Sequence, residues 1–201
     1  MREKIQLGDD LWRVFCAIEL PETVRGLVLR HMARLQEMAP DVKATWSRDA
    51  NLHLTLKFLG EISQTAVAKI STAASQAVAG LAPFSIHLEQ TGAFPKHGQP
   101  RVLWVGIKDS YGTLSELHTR LEVESANAGF AKEDRPFHPH LTLARLRQPR
   151  HTRTLAAAHC ELEFEPAEIP VAALLVIRSE LSSEGSKYSV VSRHALESDK
   201  P

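Results

Sequence analysis

The tetrapeptide His-Leu-Thr-Leu occurs twice, as His53-Leu54-Thr55-Leu56 and His140-Leu141-Thr142-Leu143. A shuffled chain of this composition would contain it about 0.008 times, so two copies are a designed feature rather than an accident. Along a strand, His and Thr of each copy point to one face and the leucines to the other. Each copy therefore calls for a strand with its leucines in a core and an imidazole and a hydroxyl on the free face. The fold has to provide two such strands.

The surroundings of the two copies also repeat. Leu11–Leu20 reads as a buried strand, rich in branched and aromatic residues. Pro21 then suits a first helical turn, and Val24, Leu27, Val28, His31, Leu35 and Met38 give one apolar face before Pro40 stops the helix. Lys43–Gly60 holds two extended pieces around Arg48–Asn51. A second helix is expected from Ser63 to Gly80, with Ile62 and Val67 as a hydrophobic staple, and Phe84–Phe94 alternates like a strand. The order then begins again. Arg101–Lys108 is a strand, Leu114, Leu117 and Leu121 mark a helix ending at Gly129, and Pro139–Leu146 is extended. A short helix near His151–His159, a strand near Glu161–Glu165 and a hairpin of Val171–Leu181 with Lys187–Ala195 complete the chain. No long linker divides it, so one domain over residues 1–201 is expected, made of two related lobes. Half-buried alternation favours antiparallel strands, and the class is α+β.

Composition narrows the function. Across 201 residues, 24 basic and 24 acidic side chains leave no net charge, which argues against gripping long nucleic acid by bulk electrostatics. Met1–Asp10 lacks the apolar stretch of a signal peptide, and the longest apolar run, Val171–Ile177, is too short to span a membrane. Cys16 and Cys160 form neither a disulfide framework nor a CxxC pair. A cytoplasmic protein without membrane attachment or obligate protein partner, and a monomer, is the expectation.

Two imidazoles and two hydroxyls facing each other across a small cleft suit an anionic tetrahedral group. One neutral imidazole can take a proton from water while a protonated one gives a proton to a leaving oxygen, and the hydroxyls can donate to phosphate oxygens. No HExxH or CxxC occurs and no Asp is interleaved with these histidines, so neither a metal nor another cofactor is expected. Arg135, in the loop before the second copy, is a candidate anion contact. Arg145, Arg147, Arg150 and Arg153 form a local basic cluster that reads equally as a solvated face or an RNA contact.

These motifs, together with NLHLTLKFLGE, TGAFP, RVLWVG and RPFHPHLTLARL, resemble the two-histidine (2H) phosphoesterases, and among them the RNA 2′,3′-cyclic phosphodiesterases, also called 2′-5′ RNA ligase-like proteins. The resemblance implies two antiparallel sheets facing a central cleft, with helices outside. It implies metal-independent opening of a terminal RNA 2′,3′-cyclic phosphate to a 2′-phosphate, with reverse 2′-5′ joining as a second activity. It makes His53 the proton donor and His140 the acceptor, with Thr55 and Thr142 holding phosphate. It gives Arg145 a phosphate contact, although strict alternation puts that side chain on the wrong face unless it reaches around the strand end or sits beyond a bulge. It gives Phe15 a place where an aromatic ring can stack on a base. The same groups would also suit small cyclic nucleotides, 2′-5′ oligonucleotides, or non-catalytic binding of RNA ends.

Overall fold

The structure is a computed structural model that describes residues 11–147, 151–183 and 185–197. The readings of Met1–Asp10 and Arg150 lie outside the described residues. The chain runs β1 (Trp12–Glu19), α1 (Glu22–Met38), β2 (Ala44–Trp46), β3 (His53–Ile62), α2 (Gln64–Val78), β4 (Phe84–Phe94) and β5 (Val102–Lys108). It continues with α3 (Thr113–Asn127), β6 (His140–Leu146), α4 (Thr152–Glu161), β7 (Ala167–Val171), β8 (Ala173–Ser182) and β9 (Gly185–Ala195). No helix among the described residues is long and apolar enough to cross a membrane.

The expected helices form, and their ends have local causes. Ser63 caps α2, its hydroxyl accepting from the Ala66 N–H at 3.2 Å. Leu114, Leu117 and Leu121 of α3 are fully buried, and the chain turns away at Gly129, whose φ of 94° favours a residue without a Cβ.

Two antiparallel sheets result, ordered β3-β1-β8-β9 and β2-β6-β5-β4-β7. They are not the two halves of the chain. The short β2 leaves the first half to pair with β6, and the last hairpin, β8–β9, returns to pair with β1. This places β1 inside its sheet and buries it on both faces. Val14, Cys16 and Ile18 join the main core, while Phe15 and Ala17 join a small cluster with Leu175 and Ile177. Strands β3 and β6, which carry the two motifs, approach each other between the sheets.

The last quarter departs from the sequence expectation. Glu161–Glu165 is not a strand: Leu162 closes the end of α4 through the Ala158 carbonyl, and Phe164 packs edge-on against His31. Their alternation anchors a connection instead. The expected strand Val171–Leu181 is split at Ala172, with Val171 ending β7 in one sheet and Ala173 opening β8 in the other. Pro170 is tolerated within β7 because that strand is a sheet edge and needs no second row of hydrogen bonds.

Candidate active site

Each motif does what its alternation requires. Leu54, Leu56, Leu141 and Leu143 are buried, while His53, Thr55, His140 and Thr142 are half-buried on the opposite face. A bulge then follows each motif at the same place. Ala17 pairs with Thr55 and Cys16 with Lys57, so Leu56 has no partner on β1. Trp104 pairs with Thr142 and Leu103 with Ala144, so Leu143 has none on β5. Each extra residue reverses the parity of what comes next. Lys57 and Ala144 turn inward, and Phe58 and Arg145 turn to the face of the histidines. The second bulge is held by Ser47, whose hydroxyl donates to the Thr142 carbonyl and whose N–H donates to the Leu143 carbonyl, each at 2.8 Å.

A backbone carbonyl two residues upstream acts on each imidazole. His140 Nδ1–H donates to the His138 carbonyl at 2.7 Å, which fixes the tautomer and leaves Nε2 able to take a proton. The Asn51 carbonyl, two residues back from His53, acts on that ring in the same sense, favouring its protonated form. Each ring also lies against aromatic neighbours. His53 stacks on Phe15 with centroids 4.6 Å apart and meets Tyr188 edge-on at 5.2 Å. His140 meets Phe94 edge-on at 5.1 Å and Trp104 at 6.4 Å. Trp104 lies so close over Gly92 that a Cβ there would fall 2.2 Å from the indole, which only glycine permits.

These surroundings set the charge of the pair. Burial pushes His53 down to about 4, against the smaller opposing effect of the Asn51 carbonyl. Burial also holds His140 below the ordinary imidazole value, and the nearby Arg145 guanidinium pushes in the same direction. Both rings are therefore held neutral near pH 7 by the protein's own groups. Among the described residues, no three His, Cys, Asp or Glu side chains converge as a metal site would need.

The remaining expected residues fall as follows. Arg145 is exposed on the face of the histidines, turned there by the bulge at Leu143, and its charge acts on His140. Arg135 sits on an exposed loop, its guanidinium bonded to Glu133 at 2.8 and 2.9 Å. Phe15 is only 2% exposed, covered by His53, Tyr188 and Phe58, so it has no open face for a base and serves as the floor under His53. The open aromatic on this face is Phe58, 52% exposed, with the Arg13 guanidinium 4.8 Å from its centroid. Tyr188, Ser47 and Phe58 were not singled out in the sequence. A bulge signal would have found Phe58, but nothing local announces Tyr188.

A model of the 2′-5′ RNA ligase superfamily matches residues 28–182, more than half of the chain and inclusive of both motifs. The chain belongs to this superfamily. Superfamily relatives called RNA 2′,3′-cyclic phosphodiesterase include one from Methanothermobacter thermautotrophicus, 32% identical over 88% of this chain and 95% of its own length. Another, from Thermotoga maritima, is 31% identical over 89% and 92%. Among solved structures, TT0787 of Thermus thermophilus covers 94% of this chain and 100% of its own at a TM-score of 0.77 and 27% identity. Escherichia coli LigT complexed with 3′-AMP covers 93% and 99% at a TM-score of 0.74 and 26% identity. The superfamily assignment and the α+β architecture of two antiparallel sheets thus rest on both sequence and fold.

Proposed function

We propose that this protein hydrolyses terminal RNA 2′,3′-cyclic phosphates to 2′-phosphomonoesters by acid–base catalysis without a metal. The observation that carries this reading is the matched pair of half-buried imidazoles, each sharing its strand face with a threonine, with His140 held in one tautomer by the His138 carbonyl. Relatives that span most of both chains bear this activity in their names, and the Escherichia coli fold neighbour was crystallised with a nucleoside monophosphate.

In the reaction, Nε2 of His140 takes a proton from water as the water oxygen forms a bond to phosphorus. The bond from phosphorus to the 3′-oxygen breaks, and protonated His53 donates its proton to that oxygen. The product carries a 2′-phosphate and a free 3′-hydroxyl, and proton exchange with solvent resets both rings. The hydroxyls of Thr55 and Thr142 donate to the non-bridging oxygens, and Arg145 neutralises the charge gathering on them. Phe58, rather than Phe15, offers the base a stacking face. Arg135 would have to leave Glu133 to reach an RNA strand.

The test is hydrolysis of 2′,3′-cyclic mononucleotides and of a short RNA bearing that end, with EDTA present. Full activity is expected. Loss on chelation and recovery with one divalent ion would overturn the two-histidine reading.

The hydroxyls make a separate prediction. Thr55→Ala and Thr142→Ala should each fold normally yet lose about 10- to 100-fold in kcat/KM, since a hydrogen bond to a charged group contributes on the order of 1.5–3 kcal/mol. Unchanged kinetics in both variants would mean that the hydroxyls do not touch the phosphate.

A further inference from the structure

The two bulges place Lys57 and Ala144 at matching positions, four residues after each histidine and turned inward. Ala144 is fully buried, as such a position demands, but its counterpart is a lysine only 5% exposed. A buried cation needs compensation, and a buried ion pair rarely outperforms well-packed apolar side chains in stability. Packing alone therefore leaves Lys57 unexplained.

Its contacts point elsewhere. Nζ donates to Glu122 Oε1 on α3 at 2.7 Å and to the Ala131 carbonyl at 2.9 Å. The second oxygen of Glu122 accepts the Glu133 N–H at 3.1 Å. One helical turn back on α3, the His118 ring stacks on Phe137, with centroids 3.8 Å apart and planes 8° from parallel. His118 Nε2 also lies 4.0 Å from Glu122. The irregular segment between α3 and β6 is thus pinned to one face of α3 at both ends. That segment delivers the His138 carbonyl, which holds His140 in its tautomer.

We infer that Lys57 and Glu122 are positioning residues for His140, a brace through which the strand of the first motif sets the base of the second. The inference rests on the acid–base reading for its kinetic consequence but not for its structural one. The ion pair fixes Ala131 and Glu133, the His118–Phe137 stack fixes the far end, and His138 has little freedom left to release the Nδ1 proton. Lys57 never touches substrate.

The double variant Lys57→Met/Glu122→Leu removes both charges together, so neither is left buried alone. In the full-length protein a cooperative melt is expected, with kcat lowered about 10- to 100-fold and KM within about threefold, as small misplacement of a catalytic group does. Imidazole nitrogen NMR should show the single Nδ1–H form of His140 giving way to a mixture of tautomers. Lys57→Met/Glu122→Gln keeps an acceptor for the Glu133 N–H and should show the same changes to a smaller degree. It carries both readouts if the first variant does not melt cooperatively. Wild-type kcat in a folded variant, an altered KM at constant kcat, or an unchanged His140 tautomer would each overturn the brace. If the wild-type protein opens no cyclic phosphate, the functional reading fails, and the nitrogen spectra still decide the brace.

Discussion

Replacing either His53 or His140 by alanine is expected to lower kcat by about 10²- to 10⁴-fold, the range a positioned acid or base contributes. Replacing both should cost little more than replacing one, because the two act in a single step. The losses differ in kind. His53→Ala lacks the group that protonates the 3′-oxygen, and a substrate with a low-pKa leaving group needs no such help. That substrate should restore much of the activity of His53→Ala. His140→Ala still has no base for water and should stay slow. Steady-state rates of both variants on both substrates decide the matter: equal rescue, or rescue of His140→Ala alone, would reverse or remove the assignment of acid and base.

The pH profile should carry the largest shift from ordinary behaviour. Burial lowers the pKa of His53 to about 4 and holds His140 below 6.5, so in the free enzyme the protonated donor becomes scarce as pH rises. kcat/KM reports the free enzyme, and its maximum should therefore lie below about pH 6.5, falling by about tenfold per unit above the higher of the two pKa values. A bound phosphodiester brings a negative charge against both rings, favours their protonated forms and raises both values. The profile of kcat should accordingly sit at higher pH than that of kcat/KM. Two coincident profiles, or a kcat/KM maximum above pH 8, would mean that the buried imidazoles are not the titrating groups.

The heart of this site is local, and for that reason the sequence reveals it. Period-two alternation over four residues places His53 with Thr55 and His140 with Thr142, whatever the rest of the chain does. One step further the local rule fails. Whether Arg145 faces the site depends on a bulge at Leu143, which shows only in the pairing with β5. The same event after Leu56 turns Lys57 into the core and Phe58 out of it. Phe15 sits in an apolar strand whose residues read first as core, and only the resemblance makes its ring a stacking surface. Its place under His53 is decided by Tyr188, which comes from β9. Sheet order is less legible still, because β7 and β8 adjoin without a turn signal and only tertiary packing assigns them to different sheets.

That sheet order bears on how the molecule is made. Strand β1 precedes β8 by more than 150 residues, yet one of its two edges is filled only by β8. Helices α1 and α2 and the pairing of the His53 motif with β1 draw on residues close together in the chain. The floor cluster around Phe15 must then wait for Leu175, Ile177 and Tyr188. Contacts so distant in sequence are slow to form, because a long loop has to close before they contribute. Until they do, β1 exposes an open edge and an apolar face. The arriving hairpin β8–β9 meets that edge and, in the same event, encloses His53. The surroundings of His53 are thus completed only when strands far along the chain dock against β1.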